Sequence, residues 1–229
     1  MTTELPPRNP RLLQWTWLWT LAALTWTTTT ALVVLNTERL LRWLLYSGHA
    51  RYVVIGAVGL MLLWSGARRH VGERSARAYL AVVATFFGVF GALLVVALKL
   101  VPFVTIVALA VFSLGAMVLV GVLSPFSLRK PRQVLEVVRQ VAELTLAGVT
   151  LGPELGWLET SLIVLGLAAA LVIVSDDAQS LADDSRAVAE ADIQRVATLH
   201  AVDLYLSFFR LTLIFTQIVS GRRKRKPKG

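Results

Sequence analysis

Two consecutive apolar runs, AYLAVVATFFGVFGALLVVAL at residues 78–98 and VPFVTIVALAVFSLGAMVLVGVL at residues 101–123, decide the fold class. Neither contains a charged residue, and each is as long as the roughly 20 helical residues that cross the hydrocarbon core of a bilayer. Backbone polar groups in lipid must be hydrogen-bonded internally, so both runs predict transmembrane helices. Only Lys99 and Leu100 separate them, which predicts a tight antiparallel hairpin.

Further apolar segments extend this pattern along the chain. Of its 229 residues, 56% are hydrophobic and 16% are charged, whereas about a quarter of the residues in soluble domains are charged. The sequence therefore predicts an all-α, polytopic membrane bundle of six to seven transmembrane helices in a single integral domain, residues 1–229. The other predicted spans are residues 12–35, 52–67, 133–151, 155–174 and 186–219, with a short interfacial helix at 37–46, an N-terminal tail at 1–11 and a basic C-terminal tail at 221–229.

The distribution of basic residues leaves the number of spans open. Seven spans would place the amino terminus and the two basic loops, residues 68–77 and 129–132, on one side of the membrane and the basic tail on the other. The positive-inside rule favours the cytoplasmic side for all of them. Either one of the more polar segments, 133–151 or 186–219, does not cross, or the tail is an exception to the rule.

The chain lacks the residues that several kinds of catalytic and metal site require. It has no cysteine, which excludes disulfides, thiolate catalysis and Cys-based zinc sites. Its histidines, His49, His70 and His200, are far apart, and no H-E-x-x-H, G-x-S-x-G, phosphate-binding Gly-rich loop or haem-attachment motif occurs. We therefore predict no enzymatic activity, no cofactor and no metal centre.

The net charge of +9 is concentrated rather than spread over a surface. Much of it lies in the tail, a pattern that is typical of orientation signals and of binding to anionic lipid headgroups rather than to nucleic acid. The predicted partner is thus the lipid bilayer, with no nucleic acid. The predicted lipid-binding residues are Arg222, Arg223, Lys224, Arg225 and Lys226.

Ionisable residues near the end of the chain are the candidates for function. An acidic stretch, residues 175–179, is predicted to form a hinge between the last two spans, and Asp184-Ser185 is predicted to start the last helix. Carboxylates at or inside hydrocarbon are expensive, so they are kept mainly for buried pairs, water-filled cavities or ion paths. The alternative interpretation is a solvated acidic loop, above all for Asp183 and Asp184.

A polar stripe follows the last predicted helix at near-heptad spacing. Its members are His200, Asp203, Ser207, Arg210 and Gln217. Because the rest of that helix is apolar, we expect the helix to be central and its stripe to face the bundle interior. The alternative for Asp203 and Arg210 is a purely structural role, as partners of charged residues on other helices.

Two short segments resemble the motifs of the transmembrane Bax inhibitor motif family. Asp177-Ala178-Gln179 is similar to the Asp-Thr-Gln-like end of that family's penultimate helix. Residues 203–208, Asp-Leu-Tyr-Leu-Ser-Phe, resemble the Asp-Leu-[Phe/Tyr]-Leu-Asp-Phe-like motif of its last helix. The resemblance implies a seven-helix, pH-sensitive cation leak pathway, chiefly for calcium. Two facing carboxylates in the last two helices would share a proton and latch the pore.

The chain departs from the family pattern at the second carboxylate. Asp177 matches the first position, with Asp176 as an alternative register, but Ser207 stands where the second carboxylate is expected. A serine cannot share a proton in this way, because the shared proton depends on repulsion between two like charges. Two alternatives remain: Asp203, one turn nearer the hinge, replaces the missing group, or Arg210 pairs with one of the carboxylates and makes a latch that protons do not operate near neutrality.

Other expectations follow from the same residues. His200 is a candidate proton sensor, since imidazoles titrate in the physiological range. The second functional hypothesis is a non-conducting accessory or assembly subunit, with membrane-protein partners in a larger complex. The chain's seven tryptophans, its basic tail and the imperfect motif are compatible with that role. The absence of cysteine and the abundance of Ala, Val, Leu and Arg favour the plasma (inner) membrane of a prokaryote.

Overall fold

The computed structural model describes residues 9–46, 49–123 and 157–224, and this part of the chain is almost entirely helical, without a strand. Two short 3-10 turns, Arg68–His70 and Glu190–Asp192, precede the helices that begin at Glu73 and Ile193. The all-α bundle predicted from the sequence is therefore confirmed. The helices are α1 (Pro10–Asn36), α2 (Glu38–Tyr46), α3 (Ala50–Ala67), α4 (Glu73–Leu98), α5 (Leu100–Leu123), α6 (Trp157–Ala187) and α7 (Ile193–Lys224).

Five of these helices are long and apolar enough to cross a membrane, namely α1, α4, α5, α6 and α7. A shorter apolar stretch, Ile55–Ala67, lies in α3. The protein is thus a multi-pass membrane protein. The predicted span at 133–151 lies outside the described residues, so the total of six to seven spans stays a prediction.

The last helix lies at the centre of the bundle. In an 18-residue apolar stretch of this helix 78% of the residues are buried, compared with 44% in the corresponding stretches of α4 and α6 and 17% in those of α1 and α5. It packs against all four of these helices. Phe87 of α4 stacks on Tyr205 of α7 at a centroid separation of 5.7 Å, within the main apolar core. The prediction of a central last helix is confirmed.

The prediction of an acidic hinge at residues 175–179 is wrong. Helix α6 continues without a break through residues 175–179 and ends at Ala187. No glycine or proline interrupts residues 167–187, and the Ser175 hydroxyl bonds to the Leu171 carbonyl one turn earlier, at 3.1 Å. A serine that bonds backward in this way continues a helix instead of capping a new one.

The predicted boundaries of the last helix also need correction. Ser185 does not start that helix, because it lies inside α6, where its hydroxyl donates to the Ala182 carbonyl at 2.6 Å. The turn falls instead at Val188 and Ala189, before the 3-10 turn. At its far end α7 continues to Lys224, so the first residues of the predicted basic tail are helical.

The contacts between helix ends define two faces of the bundle. The Asn9 amide donates to the Ser185 carbonyl at 2.6 Å, and Arg77 donates to Gln194 at 3.3 Å. The beginnings of α1, α4 and α7 and the end of α6 therefore lie at one face, the start face. Helix α7 has 32 residues and spans about 48 Å at 1.5 Å per residue, so it ends at the opposite face, the end face. The basic loop 68–77 and the basic end of α7 thus lie on opposite faces, the arrangement that conflicts with the positive-inside rule.

Candidate functional site

The polar stripe of α7 is buried inside the bundle. His200, Asp203, Ser207 and Arg210 are each at most 3% exposed. Their spacing of three and four residues places them on one side of the helix, one turn after another. The prediction that this stripe faces the interior is confirmed, and Gln217, further along, is half-buried.

A chain of polar contacts joins α6 to α7 in the middle of the stripe. The Ser207 hydroxyl donates to Oδ2 of Asp177 at 3.1 Å, and Arg210 Nη1 donates to the same hydroxyl at 3.5 Å. Asp177 is only 2% exposed, whereas Asp176 is half-buried. Ser207, which replaces the family's carboxylate, therefore connects the Asp177 carboxylate to the Arg210 guanidinium. We call these three residues the α6–α7 link.

Asp203 contacts a different helix. Its Oδ1 accepts a hydrogen bond from the Trp64 indole at 2.9 Å. Its Oδ2 lies 2.5 Å from Arg68 Nη2, close enough for an ion pair although the two groups are not aligned as a hydrogen bond. Among the described residues, the polar partners of Asp203 are Trp64 and Arg68 and not Asp177. A proton shared between the two carboxylates stays a prediction that no contact between them supports.

The partners of Asp203 are themselves fixed by packing. Trp64 is fully buried and stacks on Tyr79 of α4 at a centroid separation of 4.7 Å. The Tyr79 hydroxyl donates to the Leu60 carbonyl in α3. Arg68 follows α3 directly, and its side chain is 22% exposed, so it reaches from the start face to the buried carboxylate. Trp64, Arg68 and Asp203 form the α3–α7 link.

His200 forms a third contact between α6 and α7. Its Nε2 lies 2.9 Å from Oδ2 of Asp184, which is half-buried near the start face. Asp183 is also half-buried and lies 3.8 Å from Arg186. The interpretation of Asp183 and Asp184 as a solvated loop is therefore wrong, because both belong to α6 and have basic or imidazole partners.

The α3–α7 link is the part of the site that sequence reasoning missed. In the sequence Arg68 is one of the basic residues of the loop 68–77, and no local pattern relates it to Asp203. The available signal was the position of Trp64, a polar-tipped aromatic near the end of a short apolar helix. A buried indole N–H usually has an acceptor, and Arg68, four residues further on, is a second donor, so both pointed to an acidic residue on another helix.

The charges within the site are arranged as pairs. Ionised groups in a low-dielectric interior are costly unless an opposite charge and hydrogen bonds compensate them. Arg68 compensates Asp203 directly, and Arg210 reaches Asp177 through Ser207. The carboxylates of the site can attract cations, and its arginines can repel them. The α3–α7 link and the α6–α7 link connect α7 to α3 and to α6.

The predicted lipid-binding residues are only partly described. Arg222, Arg223 and Lys224 lie in the last turn of α7, at the end face, whereas Arg225 and Lys226 lie outside the described residues. Their role in lipid binding stays a prediction.

Comparisons with protein-family models, with curated proteins and with solved structures find no match to this chain. The resemblance to Bax-inhibitor-like proteins therefore stays a prediction from the sequence.

Proposed function

We propose that this protein is a Bax-inhibitor-like cation leak pathway, chiefly for calcium, that runs along α7 and is held closed by the α6–α7 link. The observation that carries the proposal is the burial of Asp177 against Ser207 and Arg210 at the centre of a membrane bundle. Ionisable side chains inside a membrane bundle are expensive and commonly line ion or substrate pathways.

In this proposal the residues that join α6 to α7 have distinct roles. Asp177 attracts the cation, and Arg210 repels it while the two residues are connected through Ser207. Separation of α6 from α7 releases the carboxylate from the guanidinium and lowers the electrostatic barrier to a cation. Arginine stays charged throughout the physiological pH range, so we assign the proton-sensing role to His200 and Asp184, whose contact lies nearer the start face.

Calcium flux into liposomes tests the proposal. The purified protein is reconstituted into liposomes loaded with a calcium dye, and influx is measured between about pH 5 and pH 8, the range in which imidazoles titrate. We expect influx above that of protein-free liposomes and slower influx for Asp177→Asn, because the asparagine amide oxygen still accepts the Ser207 hydrogen bond while the charge that attracts the cation is lost. The matched control is Asp183→Asn, which removes a carboxylate from the same helix at a position paired within α6. Influx equal to that of protein-free liposomes at every pH would exclude the leak pathway.

The second candidate is a non-conducting accessory subunit in the plasma (inner) membrane. The pairing of Asp203 with Arg68 favours it, because a compensated ion pair between helices is also a way to fix helix positions in a structural protein. Stable membrane-protein partners that co-purify in mild detergent, together with an absence of flux, would support this function over the leak pathway.

A further inference from the structure

The end face of the bundle carries an amphipathic helix that the described residues cover only in part. Leu44 of α2 is buried in a small cluster with Val34 of α1 and with Ala92 and Leu93 of α4. On the other side of α2, Trp43 stacks on His49 and is 53% exposed, and Tyr46 is 86% exposed. A short helix with an aromatic and basic outer side is typical of the interface between headgroups and acyl chains.

The basic residues of the end face come from separate parts of the sequence. Helix α2 follows α1 at this face, Lys99 joins α4 to α5 there, and α7 ends there. The basic residues that this topology brings to the end face are Arg39, Arg42, Arg51, Lys99, Arg222, Arg223 and Lys224. Among the described residues, the acidic ones at this face are Glu38 and Glu159.

Among the described residues, more basic side chains are paired with acidic ones at the start face than at the end face. At the start face, Arg11 pairs with Glu190, Arg77 with Glu73 and Arg186 with Asp183, while Arg74 and Arg195 have no acidic partner among the described residues. At the end face, Arg42 pairs with Glu38. Arg39 and Lys99 are exposed there and have no acidic partner within the described part of the chain. Within the described part of the chain, seven basic and two acidic residues therefore lie at the end face, which is an excess of basic groups.

We propose that the end face is a docking surface for anionic phospholipid headgroups, with α2 as its platform and Arg39 and Lys99 among its ligands. Trp43 and Tyr46 place their rings at the depth of the headgroups, where amphipathic aromatic side chains are favoured. The exposed guanidinium and ammonium groups then meet the phosphates, and each basic group near an anionic surface strengthens binding. The lipids would anchor α2 and the end of α7 to the same leaflet.

Native mass spectrometry of the full-length protein in mixed micelles tests this surface. The protein is titrated with phosphatidylglycerol or phosphatidylcholine, and retained lipids are counted for the wild type, for the double variant Arg39→Gln/Lys99→Gln and for the control Arg74→Gln. We expect selective retention of phosphatidylglycerol by the wild type and by the control. For the double variant we expect binding weaker by about fivefold per basic residue removed.

Equal retention of the two lipids by the wild type would overturn the proposal, and so would equal losses in the double variant and in the control. Soluble glycerol phosphate is added as a competitor: if it displaces the lipid at equal concentration, the surface is a free-phosphate site and not a membrane-docking surface. Circular dichroism verifies that each variant keeps its helical content. None of these measurements depends on ion flux, so the result stands whether or not the protein conducts.

Discussion

The indole of Trp64 and the carboxylate of Asp203 are joined across the bundle by a 2.9 Å hydrogen bond. This bond connects α3, whose apolar stretch Ile55–Ala67 is shorter than the five membrane-length helices, to the central helix α7. Arg68 adds an ion pair to the other oxygen of the same carboxylate. The polar contacts between α3 and α7 therefore converge on one buried acidic group.

Trp64→Phe tests the contribution of the indole. The phenyl ring retains most of the stacking on Tyr79 but loses the donor to Asp203. We expect a loss of about 1 kcal/mol in the free energy of unfolding, the usual net value of one hydrogen bond in a membrane protein or soluble core. Unfolding by SDS in mixed micelles measures it. Trp17→Phe is the control, since Trp17 is 40% exposed; an equal loss in both variants would contradict the role of the bond.

Arg68→Gln tests the ion pair. It leaves the Asp203 carboxylate buried without an opposite charge, which is expected to destabilise the protein by about 3 kcal/mol. Adding Asp203→Asn removes the uncompensated charge, so the double variant is expected to be more stable than Arg68→Gln alone. The same SDS unfolding assay gives the double-mutant cycle. Additive losses would mean that the two residues do not interact.

Gly121→Ala tests the close packing of α5 against α6. A Cβ at Gly121 would overlap the Ser175 carbonyl oxygen and approach the Ala178 Cβ to 2.9 Å. The helices would have to separate, and we expect a loss of stability of about 2 kcal/mol, as for other overpacked sites. Gly115→Ala is the matched control in the same helix, because none of the described residues lies within 4 Å of its added Cβ. It is expected to be neutral or to stabilise α5 slightly through helix propensity.

The sequence predicted the elements of the fold well where apolar length alone decides them. Residues 78–98 and 101–123 lie entirely within α4 and α5, since a helix satisfies the backbone hydrogen bonds of such a run in lipid. The buried stripe of α7 was predictable for the same kind of reason: polar groups at helical spacing within an apolar helix avoid lipid.

The boundary between α6 and α7 was not predictable from composition. Acidic residues between two apolar runs are typical of a loop. Here Asp177 accepts a hydrogen bond from Ser207, and Asp184 contacts His200, both on the neighbouring helix. Tertiary partners therefore let the helix continue through a segment that local propensity would have ended. The partners of Asp203 were hidden for a related reason, because a pairing between helices distant in sequence leaves no local pattern.

Calcium influx through Ser207→Ala tests the α6–α7 link most directly. The substitution removes the hydroxyl that connects Arg210 to Asp177 and leaves both charges in place. If the link holds the pathway closed, its loss shifts the population toward the open state, and we expect influx to rise about tenfold, the factor that corresponds to roughly 1.4 kcal/mol. The control is Thr212→Ala, which removes a buried α7 hydroxyl that bonds to the Phe208 carbonyl of its own helix. Influx through Ser207→Ala equal to that of the wild type and of Thr212→Ala would contradict a latch at this position.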